Sequence, residues 1–167
     1  AKNRPSFDPL IVHTNSLHKV ESFVRYIPDQ AIQLVKQFWP GPLTLLLQKK
    51  SIVPDLVTSG LDSVAVRIPN HELTLSLLAQ LEFPLAAPSA NPFGYVSPTT
   101  AEHVEAQLGH TVDYILDGGA CRVGVESTIV SFLEEKPKVL RLGGLAVEQI
   151  EEVIGSVRVN KHSSSSP

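Results

Sequence analysis

Apolar residues recur along the chain with two different periods, which predict helices and strands. A spacing of three and four residues predicts helices, whereas short runs that are apolar throughout or alternate predict strands. The predicted helices cover residues 17–27, 28–38, 71–81, 100–108 and 147–154. The predicted strands cover residues 10–13, 43–47, 63–68, 84–87, 113–116, 127–133 and 138–142. The last two, separated by the charged turn at 134–137, predict an antiparallel hairpin, so we expect an α/β fold with a mixed sheet.

A proline-rich segment from Pro88 to Pro98 follows the fourth predicted strand, which covers residues 84–87. Its prolines fix φ and remove backbone donors, so the segment is neither a helix nor an inner strand. It also carries the small polar residues Ser89, Asn91 and Ser97. A stiff loop at the end of a strand is a common place for ligand contacts in α/β proteins. The local pattern alone is equally compatible with a turn that merely ends the strand.

Basic side chains stand near the ends of several predicted strands. Lys2 and Arg4 precede the first strand, Arg67 closes the strand at 63–68, and Arg141 closes the strand at 138–142. Arginine within an apolar strand costs free energy unless it is paired. Each cation has the alternative of pairing with a surface carboxylate, but four cations beside one stiff polar loop favour a polyanion site, such as one for a nucleotide triphosphate.

Composition narrows the class of protein. The 167 residues suit one domain, and their 43% hydrophobic and 19% charged content is typical of a globular protein. No apolar run approaches the ~20 residues that span a bilayer. The single cysteine, Cys121, excludes an internal disulfide and favours a reducing, cytoplasmic location. A net charge of −3 excludes a uniformly basic nucleic-acid binder but not a local basic patch.

Several catalytic signatures are missing from the sequence. It contains no phosphate-binding G-x-x-x-x-G-K-[ST] loop, no G-x-G-x-x-G fingerprint and no G-x-S-x-G nucleophile motif. The lone cysteine leaves no Cys/His set with zinc spacing, so no protein metal site is predicted. Hydrolase chemistry through Ser and His stays open at this point, although no local motif supports it.

Six motifs, in order along the chain, resemble the YrdC-like threonylcarbamoyl-AMP synthases. They are K-x-R-P-x-x-x-P-L-I-V-H (2–13), W-P-G-P-L-T (39–44), S-V-A-V-R-I-P (63–69), P-S-A-N (88–91), G-x-E-S-T-I-V (124–130) and L-R-x-G (140–143). The resemblance predicts a YrdC-like domain at residues 1–155, and residues 156–167 resemble the start of the interdomain linker in two-domain members. The family's upstream P-T-[ED]-T-V-Y-G-L segment is absent from these residues. Together with the missing methionine, this predicts a fragment of a longer protein.

The resemblance implies a twisted open mixed sheet flanked by helices, with a wide basic cavity. It also implies a transferase of the nucleotidyltransferase class that converts L-threonine, bicarbonate and ATP into threonylcarbamoyl-AMP and pyrophosphate, with Mg²⁺ on the phosphates. A partner enzyme would then transfer the threonylcarbamoyl group to the adenosine beside the anticodon of certain tRNAs. Neither DNA nor a membrane is an expected partner.

Site residues follow from the resemblance position by position. The residues implied to be catalytic are Lys2, Arg4 and Asn91. Those implied to bind ATP are Arg4, Asp8, Ser63, Ser89, Ser97 and Arg141. Those implied to bind L-threonine are His13, Arg67, Ala87 through its backbone, and Ser127. Position 8 is Asp where many members carry Asn, and the added negative charge either weakens a phosphate contact or recruits Mg²⁺.

Two other functions remain open at this stage. A basic cavity would also suit a module that binds tRNA or double-stranded RNA without activity of its own. Against that stands the lack of a Lys/Arg run with interleaved aromatic residues. The second alternative is a carbamoyl-adenylate-forming domain of a carbamoyltransferase, which would use carbamoyl phosphate. The sequence has no acylphosphatase-like or zinc-finger segment of the kind expected beside such a domain.

Overall fold

The computed structural model of the chain describes residue 2 and residues 8–160, so Arg4 lies outside the described residues. The helices are α1 (Leu17–Phe23), α2 (Asp29–Phe38), α3 (Asp55–Thr58), α4 (Glu72–Gln80), α5 (Ala101–Leu108) and α6 (Val147–Ile154). The strands are β1 (Ile11–His13), β2 (Leu43–Gln48), β3 (Ser63–Arg67), β4 (Leu85–Ala87), β5 (Thr128–Ser131), β6 (Lys138–Arg141) and β7 (Arg158–Val159). Within these ranges, none of the helices combines the length and apolar character that crossing a membrane requires.

The described strands form one mixed sheet in the order β4-β1-β3-β2-β5-β6-β7. Three neighbouring pairs are parallel, namely β1 with β3, β2 with β5, and β6 with β7. The remaining pairs are antiparallel, including the hairpin of β5 and β6. The predicted mixed α/β fold and its hairpin are therefore confirmed.

The hydrophobic core lies between one face of the sheet and three helices. Every second residue of a strand points to this face, because alternate side chains of a strand point to the same side. These residues are almost completely buried. Helices α1, α2 and α6 cover them with apolar side chains at helical spacing. Representative core residues are Val12, Leu45, Val66, Val130 and Val139 of the sheet and Val20, Leu34 and Ile150 of the helices. The opposite face carries both apolar residues, such as Leu46 and Ile129, and polar residues.

The predicted strand at residues 113–116 is wrong. These residues form no strand, and Tyr114 and Leu116 are 93% and 65% exposed. A strand needs backbone partners on a neighbouring strand, and no strand of the described sheet pairs with this run. An apolar pattern without a neighbour therefore remains an extended loop.

Two boundaries also differ from the prediction. Helix α1 ends at Phe23, four residues early, because Val24 pairs with Lys49 in an isolated bridge and Arg25 donates its N–H to the Gln48 carbonyl at 2.9 Å. At the far end, β7 joins the sheet beside β6. The sheet thus continues past residue 155, where the linker was predicted to begin, and residues 161–167 lie outside the described residues. The division into domain and linker stays a prediction.

Candidate functional site

Polar side chains gather on the sheet face opposite the hydrophobic core. His13 of β1 lies directly beside Arg67 of β3 in the parallel register. Their strand neighbours Val12 and Val66 belong to the core, so His13 and Arg67 project to the other side. Both residues end their strands, and because β1 and β3 are parallel these ends meet at one edge of the sheet.

A β-bulge brings Arg141 to the same face. Val139 of β6 is a core residue opposite Val130, and strict alternation would point Arg141, two residues later, into the core as well. The register instead shifts, so that Arg141 lies opposite Ile129. The extra residue in β6 reverses the direction of the following side chain, as bulges commonly do beside functional sites.

Ser127 holds the Arg141 guanidinium in place. Arg141 Nε donates to the Ser127 carbonyl at 3.0 Å, and Arg141 Nη2 donates to Ser127 Oγ at 3.0 Å. The hydroxyls of Ser127 and Thr44 are hydrogen-bonded at 2.7 Å, and both residues are buried. The third guanidinium nitrogen, Nη1, forms an ion pair with the Glu126 carboxylate. The buried side of Arg141 is therefore fixed by hydroxyl and carbonyl groups, and its more exposed side by a charge.

Arg67 and His13 form the adjacent part of the site. Arg67 Nε donates to the Gly41 carbonyl at 3.0 Å, and Gly41 N–H donates to the Ile68 carbonyl at 2.9 Å, so the W-P-G-P turn positions the guanidinium. Burial and the nearby Arg141 lower the pKa of Arg67, while Glu126 raises it. The charges of Arg141 and Glu126 therefore both act on Arg67, with opposite effects on its pKa.

His13 is held in its neutral form. Burial, followed by the positive charge of Arg67, lowers the pKa of His13 to about 4, and the backbone of Ile11 and Leu85 opposes this only in part. Its buried Nδ1 has no partner within hydrogen-bonding geometry among the described residues. A neutral imidazole beside a guanidinium can exchange a hydrogen bond with a ligand whose carboxylate binds the arginine.

The proline-rich loop is joined to the N-terminal segment through Lys2. The Lys2 ammonium donates to the carbonyls of Ser89 and Asn91, and Phe93 N–H donates to the Lys2 carbonyl at 3.0 Å. Asn91 is buried, and its Nδ2 donates to the carbonyls of Pro92 at 3.0 Å and Tyr95 at 2.7 Å. Its Oδ1 is buried without a hydrogen-bond partner among the described residues. The loop is thus an ordered platform on which Lys2 lies.

Ser97 connects this loop to the arginine cluster. Ser97 Oγ donates to Glu126 Oε1 at 3.2 Å, while the other oxygen of that carboxylate binds Arg141. Lys2, Ser89 and Asn91 are thereby tied through the loop to the cluster. Ala87 of β4 lies opposite Ile11 of β1, so its backbone is on the strand next to His13 but two residues away from Leu85, which is the residue opposite His13.

Two predicted ATP ligands lie away from this cluster. Ser63 opens β3, four residues before Arg67, which corresponds to about 13 Å along a strand. It faces the same side of the sheet as Arg67 but lies at the opposite edge, paired with Gln48. Asp8 precedes β1 at that same opposite edge. The structure does not bring Asp8 and Ser63 together with Arg141.

Glu126 and Thr44 were not among the predicted site residues. Glu126 lies within G-x-E-S-T-I-V, and Thr44 within W-P-G-P-L-T, so the motifs contained both without assigning a role to either. The predicted wide basic cavity remains a prediction. A cleft of ≈450 Å³ elsewhere on the surface is lined by carboxylates rather than cations, including Glu102, Glu105 and Asp117. Among residues 2 and 8–160, no group of three or more His, Cys, Asp or Glu is placed to hold a metal ion.

Comparisons with known proteins agree on one relationship. The Sua5/YciO/YrdC family model, described as "Telomere recombination", matches residues 1–143. The threonylcarbamoyl-AMP synthase of Pyrococcus abyssi is 49% identical over 160 residues, which cover 96% of this chain and 47% of that protein. The enzyme of the same name from Bacillus subtilis is 47% identical over 162 residues, with the same two coverages.

A solved structure gives the same result in three dimensions. The crystal structure of P. abyssi Sua5 complexed with L-threonine superposes with a TM-score of 0.93 at 49% identity, covering 95% of this chain and 47% of that chain. The chain therefore spans about half the length of the curated relatives it matches.

Proposed function

Because the chain belongs to the Sua5/YciO/YrdC family, we propose that the protein containing it is an L-threonylcarbamoyladenylate synthase. The proposal depends above all on one observation. Arg67, Arg141 and Ser127 share one sheet face with a neutral His13, beside the loop that holds Lys2. Such a face offers separate cations for an amino acid and for a polyphosphate.

The threonine end of the site comprises His13 and Arg67, with Ser127 and the Ala87 backbone nearby. The Arg67 guanidinium would bind the threonine carboxylate in a charge-assisted pair. His13, neutral near pH 7 because its pKa is about 4, would accept or donate one hydrogen bond without adding a second positive charge. A neutral group suits this position because the threonine amine must lose its charge before it reacts.

The phosphate end comprises Arg141, Ser97 and the Lys2–loop unit. Arg141 is already oriented by Ser127, so binding a phosphate would cost little side-chain entropy. Ser89 and Ser97 supply hydroxyls from the same stiff loop, and Arg4 is a further proposed ATP ligand. Asp8 and Ser63 remain proposed ATP ligands, but they lie at the opposite end of the strands, away from this phosphate end. Mg²⁺ held mainly by phosphate oxygens would supply further charge neutralisation.

The reaction requires positioning more than covalent catalysis. Bicarbonate loses hydroxide and gives carbon dioxide. The threonine amine attacks the carbon of carbon dioxide and forms a carbamate, and the proton that the amine loses combines with the hydroxide to give water. A carbamate oxygen then attacks the α-phosphorus of ATP, the bond from that phosphorus to the bridging oxygen breaks, and pyrophosphate leaves. Lys2, Arg4 and Asn91 are the proposed catalytic residues, through charge neutralisation and orientation of the reacting groups. A partner enzyme and tRNA would consume the product in the cytoplasm.

The test is pyrophosphate release from ATP by the full-length protein. We expect release that depends on both L-threonine and bicarbonate. Release that requires carbamoyl phosphate instead would favour the carbamoyl-adenylate-forming domain. No release, together with tight and salt-sensitive tRNA binding, would favour the RNA-binding module and contradict the synthase.

A further inference from the structure

The carboxylate of Glu126 engages two of the proposed phosphate ligands at once. Its Oε1 accepts a hydrogen bond from Ser97 at 3.2 Å, and its Oε2 forms the ion pair with Arg141 Nη1. We propose that Glu126 is an internal counterion that occupies the phosphate subsite and that the ATP triphosphate must displace. Glu126 would thereby set the affinity of the site for ATP and for pyrophosphate. This inference rests on the proposed function.

The donors that Glu126 engages are those that a phosphate needs. Arg141 uses Nε and one Nη2 hydrogen on Ser127, so Nη1, which pairs with Glu126, is the guanidinium nitrogen that has no bond to Ser127. A serine hydroxyl has a single proton, so Ser97 donates either to Glu126 or to a phosphate oxygen. A phosphate oxygen placed within reach of Ser97 and Arg141 would also lie close to the carboxylate, and like charges at that distance repel. The carboxylate and the phosphate therefore compete for one position.

The charge balance of the cluster explains why a carboxylate stands there. Arg67 and Arg141 repel each other, and Glu126 offsets that repulsion in the absence of ligand. When phosphates bind, they take over this compensation and the carboxylate becomes redundant. The Glu126 side chain is 46% exposed, so the displaced carboxylate can be solvated with little rearrangement.

The experiment compares Glu126→Gln with the unchanged full-length protein by calorimetric titration of ATP and of inorganic pyrophosphate. Glutamine has nearly the same shape and keeps one acceptor oxygen in place of two, but it removes the charge. We expect both anions to bind at least about tenfold more tightly, equivalent to ~1.4 kcal/mol. Threonine affinity, which depends on the other end of the site, is expected to change much less and reports that the variant is folded.

Glu134→Gln is the matched control. Glu134 forms a similar exposed ion pair, with Arg158 at 3.1 Å, at the turn end of the same hairpin. The same chemical change there should leave both anion affinities unchanged. Glu126→Ala is the second variant. It removes the same charge and should also tighten the binding of both anions, so it keeps the test decisive if Glu126→Gln fails to fold.

Two results would overturn the inference. Unchanged or weaker anion binding by folded Glu126→Gln would mean that Glu126 only positions Arg141. Equal tightening by Glu134→Gln would mean that overall charge, not this subsite, sets affinity. Failure of the proposed function is distinguishable, because the pyrophosphate titrations need no turnover. A protein that releases no pyrophosphate from ATP can still show, or fail to show, the Glu126 effect.

Discussion

Replacement of Gly143 by alanine should damage both stability and nucleotide binding. Gly143 lies two residues after the end of β6 and packs against the backbone that leads into β5. A Cβ at this position would lie 2.6 Å from the Thr128 backbone nitrogen and closer still to the Glu126 carbonyl oxygen and the Ser127 carbonyl carbon. Backbone atoms in a hydrogen-bonded sheet have no alternative rotamer, so the two segments must separate.

The cost can be worked out from what that separation breaks. Overpacking of a well-packed site typically costs about 1–3 kcal/mol. The Gly144 N–H bond to the Glu126 carbonyl, 2.8 Å in the native chain, would lengthen, and a backbone hydrogen bond is worth about 1 kcal/mol net. We expect a loss of about 2–4 kcal/mol in the free energy of unfolding, which for a domain of this size lowers Tm on the order of 10 °C. ATP affinity should also fall, because Ser127 orients Arg141.

The assays are thermal unfolding and ATP titration of the full-length protein. Gly60→Ala is the matched control, since its added Cβ would meet nothing within 4 Å and only its positive φ of 79° is unfavourable for alanine. We expect about 1 kcal/mol of destabilisation there and unchanged ATP affinity. Equal effects of the two variants would refute the steric explanation, as would wild-type ATP binding by Gly143→Ala.

Two further predictions concern the basic residues of the site. Arg67→Ala should chiefly weaken threonine binding and Arg141→Ala chiefly ATP binding in calorimetric titrations, and the reverse pattern would contradict the assignment of the two ends. For His13, the pKa lowered to about 4 means that the unfolded state binds the extra proton first as pH falls. Stability should therefore be fully present above pH ~6.5 and decline towards pH 4, by at most ~1.4 kcal/mol per pH unit. His13→Asn should show a shallower decline in unfolding free energy over that window, and an unchanged slope would mean that His13 is not held neutral.

The fold was largely predictable because periodicity reports burial. The strands at 43–47 and 63–68 and the helices at 28–38 and 147–154 all contribute several residues to one core, so their patterns are strong. The run at 113–116 failed because composition says nothing about whether a neighbouring strand exists. Strand β7, with only Arg158 and Val159, was not predicted, for the opposite reason. Its backbone pairs with β6 although its side chains are exposed and show no burial pattern.

The site was predictable in its members but not in their connections. Motif positions identified Arg67, Ser127 and Arg141, yet alternation alone would have placed Arg141 on the core side of the sheet. The bulge that redirects it depends on the register between two strands, which no local pattern of β6 encodes. Glu126 was overlooked for a related reason, since its role follows from Ser97, which lies 29 residues earlier in the chain.

The two ends of the site limit the repulsion between neighbouring basic side chains in different ways. At the buried end, desolvation and the positive charge of Arg67 lower the pKa of His13 to about 4, so the imidazole is neutral near pH 7. At the more exposed end, Arg141 keeps its charge, and Glu126 compensates it. The Arg67, Arg141 and Glu126 side chains together carry two positive charges and one negative charge, to which Lys2 on the neighbouring loop adds a further positive charge. A deprotonated histidine stays fixed when a ligand binds, whereas a carboxylate at the solvent edge can move. The counterion that a ligand can displace, Glu126, thus lies at the end proposed for phosphate. A charged substrate must enter and a charged product must leave at this end.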